Sequence, residues 1–229
     1  GSINTTYTSV NTTAGFSISK FTGTGSAATV GHGLSAVPSM IIVKNLTSNS
    51  KKWRVYHKTL GGGSVIYLSE AEAAGSGSGS WNNTTPTSSV FSVGTSLDTN
   101  ESGSSMIAYC FAPKTGYSNF GSYTGNGNAD GTFVYTGFKP AFVLTKNTSS
   151  GNNWTMCDNK RNTFNPNNVV LNPNENTAEA TNNPQDFLSN GFKIRGTEGN
   201  TNTSGNTYIF MAFAEAPLVG SNNVPCTAR

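Results

Sequence analysis

Two acids, Glu70 and Glu72, are spaced so that they could act together in catalysis. In an extended segment, residues two positions apart lie on the same side of the chain, and glycoside hydrolysis needs two carboxylates about 5–9.5 Å apart. The surrounding segment, LSEAEAAG, offers neither an aromatic platform for a sugar ring nor an apolar pocket that raises a carboxyl pKa. We therefore predict that this pair is not catalytic, and the sequence disfavours a glycan depolymerase.

The two histidines also lack the neighbours that catalysis or zinc binding requires. His32 lies in the glycine-flanked loop GHGL, and His57 follows a predicted strand. When the two halves of the chain are aligned, Val134 takes the place of His32 and Asp158 that of His57. The sequence has no G-x-S-x-G nucleophile motif and no cluster of Cys and His with zinc-ligand spacing. We predict no catalytic residue, no cofactor-binding residue and no metal site, and hence no enzyme.

One segment, NGNADG from Asn126 to Gly131, resembles the start of a calcium-binding loop. Its first, third and fifth residues carry oxygen side chains, and a glycine follows, as in an EF-hand loop. The first residue is Asn rather than Asp, and the twelfth position is Gly137, where a bidentate Glu is needed. We therefore predict a turn without a metal ion.

The three cysteines, Cys110, Cys157 and Cys226, do not form a disulfide framework. Their number is odd and their spacing is wide. Cys110 lies in the apolar run SMIAYCFA and is expected to be a buried free thiol. One disulfide among the three is left open as an alternative.

The composition indicates a turn-rich β protein. Charged residues make up 11% of the chain, against about 25% in an average soluble domain, and Ser, Thr, Asn and Gly carry the polarity. This composition is typical of extracellular and virion-surface proteins. The basic clusters at 51–54 and 160–161 are too small to hold several phosphates, and no run of about 18 apolar residues exists. We predict no nucleic-acid partner and no membrane insertion.

The sequence pattern that predicts the strands and turns around these residues occurs twice in the chain. The segment from Ser122 to Asn147 repeats, at an offset of 102 positions, the pattern of Lys20 to Asn45: an aromatic residue, Thr-Gly, a Gly-rich stretch, a proline, an apolar run and Lys-Asn. Further landmarks follow in the same order, including Trp53 with Trp154 and Phe91 with Phe192. Ordered landmarks at nearly constant spacing indicate a duplicated structural unit.

Each copy has the pattern of short strands separated by turn residues. The runs are rich in Val, Ile, Phe and Tyr, which suit half-buried strands. The segment GFKIRG alternates, so that Phe192 and Ile194 face one side of a strand while Lys193 and Arg195 face the other. We predict an all-β fold: an antiparallel β-sandwich of jelly-roll or lectin-like type, built from two tandem pseudo-repeats of about 100 residues.

The repeat offset sets the predicted domain boundaries. The prediction has an N-terminal extension over 1–14, repeats over 15–115 and 116–217, and a tail over 218–229. Two packed sandwiches and one larger jelly roll with pseudo-twofold symmetry both fit this division. Because Trp53 and Trp154 each begin a strand after a polar turn, both are expected to be buried.

Several long motifs resemble those of a known family. They are GFSISKFTGTGSAATVGHGLSAVPSMIIVKN, PTSSVFSVG, IAYCFA, GYSNFGSYTGNGNADGTFVYTGFKPAFVLTKN, DFLSNGFKIR and YIFMAFAEAPLVGSNNVPC. Together they resemble an uncharacterised C-terminal domain of virion proteins from marine tailed phages, over about Gly15 to Arg229. The resemblance implies a non-enzymatic protein of the virion surface: a tail fibre, a tail component or a capsid decoration that contacts other virion proteins and could touch the host. Because fibres are commonly trimers, it also implies a homo-oligomer, with a trimer among the choices.

One further function is compatible with the sequence. A lectin-like carbohydrate-binding module or adhesin would suit the low-charge, amide-rich surface, with a host-surface glycan as ligand. This function could coexist with a place in the virion. The alternative is a purely architectural role in the particle. A test of glycan binding would distinguish this role from that of a lectin.

Recognition is predicted where the two copies differ, because loops on a rigid scaffold carry function. The most different segments are 61–89, 159–185 and the Gly-rich entries around His32 and Tyr135. Trp81 stands among Gly, Ser and Asn, and Phe164 stands between asparagines. Because exposed aromatics ringed by amides suit sugar stacking or subunit contact, we predict that Trp81, Tyr135 and Phe164 mark the contact surface. The alternative is that each aromatic folds back against its own sandwich.

Overall fold

The computed structural model describes residues 1–215. Cys226 and the predicted tail at 218–229 lie outside the described residues. Strands dominate the described part and pair into antiparallel sheets, which confirms the predicted all-β fold. No helix among these residues is long and apolar enough to cross a membrane.

The described residues form two compact units, each with its own hydrophobic core. The first unit comprises Gly1–Ser69 and Ala74–Pro113. The second unit runs from Lys114 to the end of the described residues and includes the short segment Glu70–Ala73. Every sheet lies within one unit.

The first unit contains a large sheet, a small sheet and two one-turn helices. Its elements in chain order are β1 (Thr5–Asn11), β2 (Phe16–Thr22), β3 (Ala28–Gly31), β4 (Met40–Asn45), β5 (Arg54–His57), β6 (Ser64–Tyr67), β7 (Gly75–Ser76), α1 (Ser78–Trp81), β8 (Val90–Val93), α2 (Leu97–Asn100) and β9 (Ser105–Phe111). The large sheet has the order β1-β2-β9-β4-β5-β6-β7, and β3 pairs with β8 in the small sheet.

The second unit contains one continuous sheet. Its strands in chain order are β10 (Ser118–Thr124), β11 (Phe133–Tyr135), β12 (Phe142–Asn147), β13 (Thr155–Asp158), β14 (Asn167–Leu171), β15 (Ala180–Leu188), β16 (Gly191–Ile194) and β17 (Thr207–Phe213). The sheet order is β10-β17-β12-β13-β14-β15-β16-β11. Strand β15 therefore joins the β11–β16 pair to the rest of the sheet, whereas the equivalent β3–β8 pair of the first unit is separate.

The strand registers of the two units match pair by pair. Ser17 pairs with Cys110 between β2 and β9, and 102 positions later Asn119 pairs with Ala212 between β10 and β17. All seven residue pairs of that ladder repeat at this offset, and so do all six pairs between β4 and β9. The duplication seen in the sequence is therefore a duplication of central-strand pairing.

The small hairpin-like pairs are also equivalent, but at a different offset. Val30 pairs with Phe91 between β3 and β8, and Val134 pairs with Phe192 between β11 and β16. Val134 is therefore the counterpart of Val30, and the sequence-based match of Val134 with His32 was wrong. The error arose because two residues are missing from the loop before Pro140, so a constant offset misplaces this stretch.

Aromatic contacts recur in the two cores, but the two tryptophans differ. Phe21 meets Phe91 edge-on with ring centroids 6.3 Å apart, and Tyr123 meets Phe192 at 6.1 Å. Trp154 is buried as expected. Trp53 is only half-buried, because it lies over Tyr109 with centroids 6.4 Å apart and does not enter the core cluster of its unit.

Candidate functional site

Trp81 does not belong to an exposed contact surface, so its predicted role was wrong. Its side chain is 1% exposed and forms part of the first unit's core. It meets Tyr56 edge-on with centroids 6.0 Å apart. The loop that carries Trp81 forms α1 and folds back onto its own unit, which buries a large apolar area. This was the alternative that the sequence left open.

The Lys-Asn pair that ends the shared pattern organises a loop in each unit. Asn45 Oδ1 accepts hydrogen bonds from the backbone N–H groups of Thr47 (2.9 Å) and Ser48 (3.1 Å). Asn147 Oδ1 accepts the two equivalent bonds in the second unit, at 2.9 and 3.2 Å. A buried amide that holds a turn in this way is a structural device, so the shared Asn is not a binding residue.

The lysine of the second pair is fully buried without a carboxylate partner among the described residues. Lys146 Nζ donates to the backbone carbonyls of Ala71 (3.0 Å), Asn147 (3.0 Å) and Asn152 (2.6 Å). These three acceptors match the three donors of an ammonium group. Burial lowers the pKa of Lys146 to about 8. The group is therefore satisfied by the backbone and has a structural role.

The shared Thr-Gly-x-Gly stretch wraps around a buried asparagine in each unit. Asn100 Oδ1 accepts a hydrogen bond from Thr24 N–H (2.8 Å), and its Nδ2 donates to Ser26 O and Gly94 O, both at 2.7 Å. Asn202 makes the equivalent three bonds in the second unit, at 2.9, 2.8 and 2.7 Å. The motif is thus a loop anchored on one amide.

The two glycines of that motif are required for different physical reasons. A Cβ on Gly23 would lie 2.2 Å from Glu101 O, and one on Gly125 would lie 2.3 Å from Thr203 O. The second glycines, Gly25 and Gly127, have φ values of 72° and 67°, which side chains rarely adopt. The repeated motif is therefore explained by packing and backbone geometry.

The calcium-like segment forms a turn in which the side-chain oxygens are already used. Asn126 Oδ1 accepts from Asn128 N–H, and Asn128 Oδ1 accepts from Asp130 N–H, both at 2.9 Å. Asp130 Oδ1 lies 2.5 Å from Lys193 Nζ, and the hydrogen bond from Lys193 lowers the pKa of Asp130. Across residues 1–215, no group of three or more His, Cys, Asp or Glu side chains is placed to hold a metal ion.

The two histidines and the two described cysteines are buried. Burial lowers the pKa of His32, whose Nε2 lies 3.1 Å from Thr87 O. Burial also raises the pKa of the free thiols Cys110 and Cys157 to about 12. Such thiols are inert packing groups.

An exposed surface that the first unit lacks lies on the solvent side of β15, β16 and β11. We call it the aromatic face and define it by Phe133, Tyr135, Asp186, Lys193 and Arg195. Phe133 pairs with Lys193, which in turn pairs with Asp186, so these three side chains share one side of the sheet. Phe133 and Tyr135 are 43% and 63% exposed.

The opposite side of the same strands is core. Val134, Phe187, Phe192 and Ile194 are all buried in the second unit's cluster. The alternation of GFKIRG thus has the predicted sidedness, with Lys193 on the solvent side. No comparable alternation marks Asp186 in the sequence, because buried and exposed residues do not alternate regularly along β15.

The equivalent surface of the first unit carries small residues and is partly covered. Thr29 and Gly31 stand where Phe133 and Tyr135 stand in the second unit, and Ser92 replaces Lys193. The backbone N–H of Ile3 also donates to Thr29 O at 2.9 Å, so the N-terminal residues lie along this edge. The duplicated frame therefore carries aromatic and charged groups in one copy only.

A cleft of about 420 Å³ lies next to the aromatic face. It is lined by Asn165, Pro166, Pro184, Asp186 and Arg195. Phe164, which directly precedes the first of these residues, is 81% exposed. The cleft therefore combines apolar walls with a charged pair, and an exposed aromatic residue precedes its lining segment in the chain. This combination suits binding rather than a reaction.

The cleft is held rigid by hydrogen bonds that need no ligand. Asn165 Oδ1 accepts from Phe187 N–H (2.9 Å) and its Nδ2 donates to Phe187 O (3.1 Å). Arg195 Nε lies 2.6 Å from Asp186 Oδ2, and Arg195 N–H donates to Pro184 O at 2.8 Å. Sequence reasoning singled out Phe164 but missed Asp186 and Arg195, because only the pairing of β15 with β16 brings these two side chains together.

These features define a class of protein: a duplicated all-β module in which the second copy carries an aromatic face and a cleft. The chain belongs to the family described as Domain of unknown function (DUF7483), whose model matches residues 1–217. No curated protein and no solved structure matches the chain.

Proposed function

We propose that the chain is a non-enzymatic surface protein of a tailed-phage virion: a tail fibre, a tail component or a capsid decoration. The resemblance of its long motifs to virion proteins of marine tailed phages supports this proposal. The low charge content and the turn-rich β fold agree with it. In the particle, other virion proteins and further copies of this chain, in a trimer or another homo-oligomer, are its partners.

We further propose that the second unit makes the contact with the host. The observation that carries this proposal is the exchange of small residues for exposed aromatic ones on one duplicated frame. Thr29 and Gly31 in the first unit correspond to Phe133 and Tyr135 in the second. Exposed aromatic side chains cost solubility and are enriched in contact surfaces, so their presence in one copy indicates a role that the other copy lacks.

Antibody labelling of purified phage particles tests the place of the protein in the virion. Antibodies raised against the purified chain should decorate the surface of intact particles in electron micrographs. Serum that has been pre-adsorbed with the chain is the control and should leave the particles bare. Absence of the chain from purified particles, by both labelling and mass spectrometry of the dissociated virion, would refute the proposal.

A lectin-like activity is the second candidate, and the cleft of the second unit favours it. Its wall contains two prolines and a carboxylate–guanidinium pair, and the exposed Phe164 directly precedes the lining residue Asn165 in the chain. This candidate adds a ligand to the first proposal and does not replace it.

A further inference from the structure

The cleft of the second unit is a concave feature in which apolar wall and convergent polar groups meet. Pro166 and Pro184 supply apolar wall, and Phe164 stands at the sequence position directly before the cleft-lining segment. A ring that is 81% exposed has apolar area available for contact with a ligand. The volume of about 420 Å³ falls in the range of small-ligand sites.

The polar groups of the cleft offer both donors and acceptors. Arg195 uses its Nε for Asp186, which leaves other N–H groups of the guanidinium to face the cleft and the nearby Asp130, 3.6 Å from Nη1. The Asp186 carboxylate has two oxygens, each with more than one acceptor site. Vicinal hydroxyl groups can donate to the carboxylate and accept from the guanidinium at once, which gives the cleft a fixed orientation for a sugar.

The charges around the cleft decide between neutral and anionic ligands. Arg195 and Lys193 both face carboxylates, because Asp186 pairs with the first and Asp130 pairs with both. Arg161, which lies three positions before Phe164 in the chain, is paired as well, with Asp158 at 2.8 Å. Two cations and two carboxylates leave the site without net positive charge, and a polyanion needs several unpaired cations to bind.

We infer that the cleft lined by Asn165, Pro166, Pro184, Asp186 and Arg195 binds a neutral hexopyranose unit of a glycan, with Phe164 as its stacking platform. This inference rests on the proposed function of the second unit and names the ligand class of its site. Phe164 contacts the apolar face of the sugar, and Asp186 and Arg195 hold its hydroxyl groups. The aromatic face beyond Lys193 provides contact area for the neighbouring sugar units.

Binding of defined oligosaccharides tests the inference. The probes are cellohexaose, maltohexaose and mannohexaose as neutral hexose chains, and an alginate hexasaccharide and heparin as anionic ones. Saturation-transfer NMR and titration calorimetry should show binding of at least one neutral probe at submillimolar concentration. The binding should be nearly unchanged between 50 and 500 mM salt, because no net charge is involved.

Single variants locate the site. Phe164→Ala should weaken binding of that neutral probe at least tenfold, and Asp186→Asn and Arg195→Gln should each do the same. Tyr7→Ala is the matched control, because Tyr7 is 62% exposed on the first unit, and it should leave affinity within twofold. Phe164 is so exposed that its variant should fold normally, which a melting curve checks.

Three results would overturn the inference. They are binding of the anionic probes alone, equal loss of affinity in Tyr7→Ala and Phe164→Ala, and absence of binding to all five probes. If the chain still labels intact particles while no probe binds, the cleft inference fails and the virion assignment stands. If a neutral probe binds through Phe164 but the chain is absent from particles, the virion assignment fails instead.

Discussion

The two units share their central strands and differ at their edges. In the first unit, residues 1–11 cover two edges: β1 pairs with β2, and Ile3 bridges to Val30 in β3. The second unit has no such segment among residues 114–215, and residues 103–113, which precede it, form β9 and its flanks in the first unit. The two units therefore share their central strands but not the N-terminal segment that covers the edges.

The second unit links the same two edges with side chains. Asn119 Nδ2 donates to Thr136 O at 3.1 Å, and Thr132 Oγ1 donates to Thr124 O at 2.7 Å. These bonds connect β10 to the segment around β11 at both ends. The comparison teaches that the loop anchors on buried asparagines are fixed, while edge cover and surface residues are free to change.

The largest effect on stability is expected at Trp154, which is buried, whereas its counterpart Trp53 is only half-buried. Trp154→Ala should lower the free energy of unfolding by about 3–5 kcal/mol, because it leaves a large cavity. Trp53→Ala should cost only about 1–2 kcal/mol, since Trp53 is half-buried against Tyr109. Urea denaturation followed by circular dichroism measures both. Equal losses of stability would contradict the claim that Trp154 and Trp53 differ in burial.

The next effect tests what the two units have in common. Asn100→Ala and Asn202→Ala should each cost about 3 kcal/mol, because each removes the partner of one backbone N–H and two backbone carbonyls. Chemical denaturation of the two variants gives the values. A cost below about 1 kcal/mol in one variant only would break the claim that the anchors are equivalent.

A smaller effect should be confined to the first unit. Ile3→Ala should cost about 2 kcal/mol, because Ile3 is 8% exposed and belongs to that unit's core. Hydrogen exchange followed by mass spectrometry should show faster exchange in β2 and β3 but not in β10 and β11. Val10→Ala, at a residue 39% exposed on the same segment, is the control and should change little. Faster exchange in β10 or β11 would contradict the separate edge cover.

The smallest stability effect depends on pH and belongs to Lys146. The pKa of Lys146 is lowered to about 8 in the folded state, below the value of about 10.4 for a free lysine. Between these values the unfolded chain binds more protons than the folded chain, so stability rises with pH. Wild type should gain about 1 kcal/mol over Lys146→Met from pH 8 to pH 9, and the difference should be flat below pH 7. A difference that falls over pH 8–9 would contradict the lowered pKa.

Local patterns predicted the strands and turns well, since strand type and turn geometry are encoded in neighbouring residues. The Thr-Gly-x-Gly stretch, the Lys-Asn pair and GFKIRG all mark strands or turns by short-range rules. Trp81 was misplaced because a Gly-, Ser- and Asn-rich loop gives no local sign of whether it folds back over a core. Asp186 and Arg195 were missed because their contact depends on the pairing of β15 with β16, which no local pattern records.

The most direct test of the account exchanges the surface of one unit for that of the other. Phe133→Thr with Tyr135→Gly gives the second unit the residues of the first, and Tyr7→Gly removes a ring of matching exposure from the first unit. The account predicts that adsorption of the purified chain to host cells falls at least tenfold in the double variant and stays within twofold in Tyr7→Gly. Unchanged adsorption in a folded double variant, or an equal loss in both proteins, would contradict the claim that recognition lies on the second unit.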